Sequence, residues 1–387
     1  MLKIKKICVF TGARAEYGLL KPLLHEIVLD KNLELQLLVT GMHLSPEFGL
    51  TYKIIENDGF LINEKIEMVI SGDTPSSICK SIGLGLIGFA DALNRLKPDF
   101  IVLLGDRYET LAGAIASLVS RIPIAHIQGG ELTFGATDDS MRHSITKMSM
   151  LHFTYNKIYS QRVIQLGENP HNVFDVGALN VEAMKNIKLL KRDKFQKKIK
   201  FQLGAINCLV TFHPVTLEMN TAKKQFSALL NALKKNKNIY CIFTKTNSDV
   251  EGRVINDLID EFVFENTKRS ISFISMGQQL YFSAMNLVNV VIGNSSSGII
   301  ETPSFCVPTI NIGDRQSGRI KAKNIIDCKP NEKDISICLK QALNTNFVNA
   351  TKNMINPFEK KDTAKNIKNI IKDFDSGENI KKVFFDQ

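Results

Sequence analysis

The amino-acid sequence predicts an α/β protein built from two doubly wound, parallel-sheet domains. Short apolar runs recur along the chain, each followed by a Gly- or Asp-containing turn and an amphipathic helical stretch. Strands apolar on both faces belong to parallel sheets covered by helices on each side. The pattern stops at a charge-dense stretch, 185–200, and then restarts. At 387 residues the chain exceeds one comfortable core and favours two domains of roughly 150–200 residues each.

The elements follow in order. Residues 6–11 (KICVFT) form the first strand, and 15–29 carry apolar residues at helical spacing. Strand 35–40 and the long helix 76–96 come next, then strand 100–104 (FIVLL), helix 109–120 and strand 123–127. Residues 145–151 lead into strand 152–155, and 173–176 closes the first half. The polar stretch 185–200 reads as the linker. Beyond it come strand 208–212, helix 216–235, strand 239–243, helix 251–264 and strands 271–275 and 288–292. Helix 296–303, strand 309–312 and a terminal helix at 363–374 complete the pattern. The predicted domains are 1–184 and 200–360, with 361–387 as a closing helical segment. Ligands of such folds bind beyond the carboxyl ends of the strands.

Composition excludes several classes. A hydrophobic share of 44% rules out a disordered or fibrous chain. No apolar run approaches the ~20 residues that cross a bilayer. The basic residues 1–6 precede an apolar run, 7–10, too short for a signal-peptide core, so a cytoplasmic location and no membrane partner are expected. The seven cysteines are scattered without a C-x-x-C pair, and the seven histidines form no ligand spacing, so no metal is expected. The net charge of +10 sits largely in Lys-rich stretches such as 185–200 and 234–237, which read as solvated helix faces. Nucleic-acid binding is the rival reading, but no lysine stretch is interleaved with aromatics and Trp is absent.

The informative polar clusters each follow a predicted strand. Thr11–Gly18 opens a helix with a tight Gly12 turn and offers Arg14 to a phosphate or carboxylate. Gly105-Asp106-Arg107 places a general acid/base candidate at a strand end. In His126–Glu131 the paired glycines Gly129 and Gly130 aim Glu131 at the same rim, and Asp138 or Asp139 starts the next helix. Helix capping explains either aspartate singly, but not three acidic stations on one rim. In the second half, His213 is fixed by Pro214 at a strand end, where it can donate to a phosphate or protonate a leaving group. Asn294-Ser295-Ser296-Ser297-Gly298 brings amides, hydroxyls and a helix start to a phosphate, with Glu301 one turn on for ribose hydroxyls. Arg315 is a second phosphate clamp.

These segments (TGARAEYGLL, GDRYE, HIQGGE, DDSMRHSITKMS, TFHPVT, GNSSSGIIETPS and INIGDRQ, between residues 11 and about 319) resemble, in order, the hydrolysing UDP-N-acetylglucosamine 2-epimerases of bacterial sialic-acid synthesis. The resemblance implies a glycosyltransferase-B-like fold of two Rossmann-like domains with the active site in their cleft. It also implies a C-terminal helix returning to the first domain, and a homodimer or homotetramer. Chemically it implies loss of the C2 proton with expulsion of UDP to a glycal, then hydration to N-acetylmannosamine, with no cofactor. Asp106, Glu131, Asp138, Asp139 and His213 match catalytic stations. Arg14, Glu16, Arg107, His213, Ser295, Ser296, Ser297, Glu301 and Arg315 match nucleotide positions, and Gly105, Gly130, Arg142 and His143 neighbour the sugar. Glu16 stands where many members carry Asp. Related enzymes of legionaminic-acid synthesis take UDP- or GDP-2,4-diacetamido-2,4,6-trideoxyglucose, and no residue here distinguishes these substrates. A non-hydrolysing epimerase and a glycosyltransferase on the same scaffold are the enzymatic alternatives.

Overall fold

A computed structural model describes residues 4–72, 74–246, 249–375 and 381–386. The chain divides into two compact units. The first comprises Met1–Glu131, Asp138–Ala183 and Phe358–Gln387, and the second Leu132–Thr137 and Met184–Pro357.

The first unit is a seven-stranded parallel sheet of β1 (Lys5–Thr11), β2 (Leu33–Thr40), β3 (Glu64–Ile66), β4 (Phe100–Leu104), β5 (Ile124–Ile127), β6 (Leu151–Thr154) and β7 (Val173–Asp175), in the order β3-β2-β1-β4-β5-β6-β7. Strand order reverses between β1 and β4, which pair Ile7 with Phe100 and Val9 with Val102. That junction is where doubly wound sheets open a crevice at the strands' carboxyl ends. All five residues of β4 are buried, which explains a strand without polar alternation. The short β3 escapes sequence reading because only Ile66 of its three residues is buried.

The Pro75–Leu96 helix starts at Thr74, whose side chain accepts from the Ser77 amide, and stops at Lys97 with φ +44°. By length and composition it could cross a membrane, contrary to the sequence expectation that no run is long enough. Interspersed Ser, Gly and Cys hide its apolar character in the sequence. Phe89, Ala92 and Leu93 nevertheless pack into the core of this unit. The closing helix, Thr363–Asp373, buries Ala364, Ile367 and Ile371 and packs on the Arg14–Val28 helix. Lys368 and Lys372 bond Asp30 at 3.0 and 2.9 Å, holding its carboxyl well below the usual range. Lys5 Nζ donates to the carbonyls of Ile371, Lys372 and Phe374.

The second unit is a six-stranded parallel sheet of β8 (Ile206–Thr211), β9 (Ile239–Thr244), β10 (Ser270–Phe273), β11 (Val290–Gly293), β12 (Thr309–Ile312) and β13 (Ile325–Cys328), in the order β10-β9-β8-β11-β12-β13. Its order reverses between β8 and β11. Where charge density suggests a linker, Arg192–Ile199 is a helix of this unit that buries Phe195 and Ile199. Two apolar residues four apart sufficed to dock it, while its lysines remain in water. Leu132–Thr137 is held within this unit: Arg319 donates to the Leu132 carbonyl (2.7 Å) and Thr133 hydroxyl (3.1 Å), and the Thr137 amide donates to Thr216 (3.0 Å).

Candidate active site

In the first unit the sequence-predicted residues lie at the carboxyl ends of β1, β4 and β5. The turn after β1 is built by Glu16, whose Oε2 accepts from the Gly12 (2.7 Å) and Ala13 (3.2 Å) amides. Burial, then the nearby Glu109 carboxylate, push Glu16 up to about 7, against the pull of Arg107 and the two amides. Arg107 pairs with the fully buried Glu109 (3.1 Å) and lies 3.9 Å from Glu16. Glu16 and Arg107 therefore shape this turn. Arg14 differs. It is half-buried, burial lowers its guanidinium to about 10, and no carboxylate among the described residues lies within ion-pair distance. A desolvated cation of this kind favours an anionic ligand.

Arg142 organises the acidic stations. Its fully buried guanidinium bonds the half-buried Asp106, Asp139 (3.4 Å) and the Glu131 carbonyl (3.0 Å). Glu131 is also fully buried and accepts from Gln128 Nε2 at 3.3 Å. His143 lies 3.6 Å from Asp139, and Asp138 is half-buried on the same helical turn. Two backbone features aim the groups. Gly130 has φ +78°, and a Cβ there would meet the Tyr159 carbonyl at 2.3 Å. The Gly105 carbonyl is 2.8 Å from His126 Nε2; a carbonyl only accepts, so this nitrogen carries the proton and Nδ1 accepts from Thr146 (3.1 Å). Burial lowers His126 to about 3, keeping it neutral.

The second unit gathers its predicted residues at the ends of β8, β11 and β12. Gly293, at φ +147°, is required because a Cβ would lie 1.8 Å from the Thr211 carbonyl. Asn294 then ties the rim together. Its side chain accepts from the His213 amide and donates to the His213 carbonyl, both at 2.7 Å. Its own carbonyl accepts from Arg315 (3.2 Å) and Gln316 (2.8 Å). Ser297 donates to Glu301 (2.5 Å) and so accepts from Tyr281 (2.7 Å); burial, then Glu301, push the Tyr281 phenol up to about 12. Ser295 and Ser296 are half-buried beside them. The expected helix 296–303 is shorter than read: Ser297–Ile300 is helical and Thr302–Phe305 is a 3₁₀ turn. Pro303 has no amide to continue the ladder. Hydroxyls and loop amides, rather than a long helix dipole, face the rim.

Sequence reading missed Tyr281 altogether, and it included Asn294 and Glu109 in their motifs without seeing that they brace the site. The Gly293-Asn294 step at a strand end was the available signal for Asn294. Tyr281 left none, because its hydrogen bond to Ser297 spans 16 residues of chain. Among the described residues no His/Cys/Asp/Glu group is arranged to hold a metal.

The chain matches the family described as UDP-N-acetylglucosamine 2-epimerase over residues 25–372. It is 46% identical over 330 residues to the GDP/UDP-N,N′-diacetylbacillosamine 2-epimerase (hydrolyzing) of Campylobacter jejuni, covering 85% of this chain and 86% of that protein. It is 37% identical to the polysialic acid biosynthesis protein P7 of Escherichia coli, covering 97% and 96%. A solved structure of UDP-GlcNAc 2-epimerase from Neisseria meningitidis bound to UDP-GlcNAc superposes with TM-score 0.79 over 95% of this chain and 99% of that one, at 16% identity. That likeness concerns the fold, a glycosyltransferase-B-like pair of Rossmann-like domains.

Proposed function

The chain belongs to the UDP-N-acetylglucosamine 2-epimerase family, and from that premise we propose its substrate, the roles of its site residues and its assembly. It is a hydrolysing nucleotide-sugar 2-epimerase. The substrate assigned is N,N′-diacetylbacillosamine, a 2,4-diacetamido-2,4,6-trideoxyglucose, carried on UDP or GDP. The 46% identity to the Campylobacter enzyme supports it. UDP-N-acetylglucosamine is the second reading, supported by the family description and the likeness to protein P7.

The observation that carries the reaction is the Arg142-centred group at the ends of β4 and β5: the buried guanidinium bonds the carboxylates of Asp106 and Asp139 and the main-chain carbonyl of Glu131, whose own buried carboxylate accepts from Gln128. The C2 hydrogen of an acetamido sugar has no adjacent carbonyl to acidify it, so positioned carboxylates must take the proton while the diphosphate leaves. One carboxylate, Asp106 or Glu131, accepts the C2 proton. The C2–H electron pair becomes the C1–C2 double bond, and the C1–O pair departs with the nucleoside diphosphate. Water then adds its hydroxyl at C1 and gives its other proton to a carboxylate of the same group, while a carboxylic acid of that group, with Asp138 and Asp139 as further candidates, returns a proton to the opposite face of C2. The product is the free, C2-inverted sugar. Gly105, Gly130, Arg142 and His143 surround that sugar in this reading.

The second unit supplies the nucleotide's partners. Arg315, Ser295, Ser296 and Ser297 are assigned to the diphosphate and Glu301 to the ribose; on the first unit, Arg14 is assigned to an anionic group of the substrate. His213 donates to the departing phosphate. Glu16 and Arg107 contribute by holding the Gly12 turn in place. A cytoplasmic homodimer or homotetramer acting without nucleic acid, membrane or cofactor completes the proposal.

Proton NMR in D₂O with each sugar nucleotide tests it. Free C2-inverted sugar deuterated at C2, released with UDP or GDP, is the expected result, and the better substrate fixes the sugar and base. An equilibrium of two nucleotide sugars without free sugar would overturn the hydrolytic step. Turnover only with an added acceptor would make the protein a glycosyltransferase.

A further inference from the structure

The chain leaves the first unit after Glu131 and returns to it at Asp138, so the segment Leu132–Thr137 that joins these two acidic stations belongs to the second unit. The exit is held by three arginines on three consecutive main-chain carbonyls. The Gly130 carbonyl accepts from Arg162 (3.2 Å), that of Glu131 from the buried Arg142 (3.0 Å), and that of Leu132 from the buried Arg319 Nε (2.7 Å). Arg319 Nη2 also donates to the Thr133 hydroxyl (3.1 Å). Glu131 is the middle residue of this run, and only the last of the three arginines comes from the second unit.

Packing alone would keep Leu132 and Thr133 near the second unit. A guanidinium does more, because its planar fork fixes the direction of the groups it bonds. With donors on two adjacent residues, Arg319 orients the Leu132 peptide, and Arg162 and Arg142 orient the two before it. The main chain of Glu131 is thereby set from both sides. Arg319 also shares the turn after β12 with Arg315. Its amide bonds the Gln316 carbonyl (3.4 Å), while the side chains of Arg315 and Gln316 hold the Asn294 carbonyl (3.2 and 2.8 Å). Gly318, at φ +75°, brings this turn against Leu132, whose side chain a Cβ would meet at 2.5 Å. The turn assigned to the diphosphate therefore carries an anchor of a proton carrier as well.

We infer that Arg319 is a positioning residue for the reaction: through the Leu132 carbonyl and the Thr133 hydroxyl it fixes the main chain of Glu131, and so the aim of that carboxylate at the sugar. It acts through Glu131 rather than on the substrate. The inference rests on the role proposed above for Glu131 and adds the group of the second unit that aims it.

A double-substitution cycle on the full chain tests this, with the better of the sugar nucleotides as substrate. Arg319→Met should lower kcat by about 10–100-fold, the cost of a misplaced reacting group, while the calorimetric Kd for UDP or GDP stays within about threefold of wild type. Arg319→Lys keeps a charged donor for the Leu132 carbonyl and should recover part of the loss. Glu131→Gln combined with Arg319→Met should turn over within about threefold of Glu131→Gln alone, because no proton carrier is left to aim. A purely structural arginine would instead multiply the two losses, and that result would overturn the inference. So would an Arg319→Met enzyme within about threefold of wild type, or a lysine variant no faster than the methionine one. If Arg319→Met loses its circular dichroism, the same cycle is run with Arg319→Lys. Wild-type turnover by Glu131→Gln would overturn the role proposed for Glu131 and this inference with it, whereas multiplied losses overturn this inference alone.

Discussion

The rims of the two units are built from opposite chemistry. In the first unit, buried ionised groups hold one another: Arg142 with Asp106 and Asp139, and Arg107 with Glu109. In the second, the framework is largely neutral, with Asn294 bridging backbone groups and Tyr281, Ser297 and Glu301 passing hydroxyl donors in series. A buried charge cannot lose its partner cheaply, whereas a neutral hydrogen bond lost near solvent costs little. Stability and catalysis should thus be coupled on the first rim and separable on the second.

The sharpest contrast should come from Glu131→Gln, which keeps the shape of the side chain but removes a proton carrier. Turnover should fall by about 10²–10⁴-fold with the nucleotide affinity retained, as read by product release and calorimetric titration of the nucleoside diphosphate. Next, Arg142→Met should strip the cation from between two carboxylates and cost about 3–5 kcal/mol in urea unfolding. If that variant unfolds like wild type, the first rim is not the charge-locked structure described.

Acid should separate the units too. Burial lowers His43 to about 4 and His126 to about 3, both from 6.5, and both lie in the first unit. Between pH 6.5 and those values the unfolded chain binds protons that the folded chain refuses. The stability these two histidines contribute therefore falls as pH drops, through pH 4 for His43 and toward pH 3 for His126; Glu16, raised to about 7, acts in the opposite sense between pH 7 and 4.5 and offsets part of one histidine's share. The slope is at most about 1.4 kcal/mol per pH unit for each group. Hydrogen exchange at pH 7 and pH 5 should show protection lost first in β1, β4 and β5; earlier loss in β8 and β11 would contradict this. The smallest effect should follow Ser297→Ala, about 0.5–1.5 kcal/mol in stability with a several-fold weaker nucleoside diphosphate, both unaffected by pH over the same range.

Most of this architecture was legible because a parallel strand buried on both faces leaves an unbroken apolar run, as FIVLL of β4 does. What escaped had a short or mixed signal. β3 buries a single residue, and β13 with its following Glu332–Ala342 helix has interspersed charges. The Arg192–Ile199 helix presents mostly lysine and polar residues around Phe195 and Ile199. At the site, the strand-end motifs pointed to the right loops, since chemistry in such folds gathers there. They did not say which charged residue is committed to its neighbours. Arg14, Glu16 and Arg107 read alike in sequence, but two of them brace a turn and one lacks a carboxylate partner among the described residues. That distinction depends on Glu109, whose side chain enters from a different strand end.

The discontinuity of the first unit bears on how the chain is made. Its closing helix, anchored through Ile367, Ile371 and the Asp30 ion pairs, is translated after the whole second unit. A ribosome therefore releases the complete second unit while β1 and the Arg14–Val28 helix still lack their cover, and the nascent first unit must wait with part of its apolar surface open. Of the two units, the one encoded first is the one finished last.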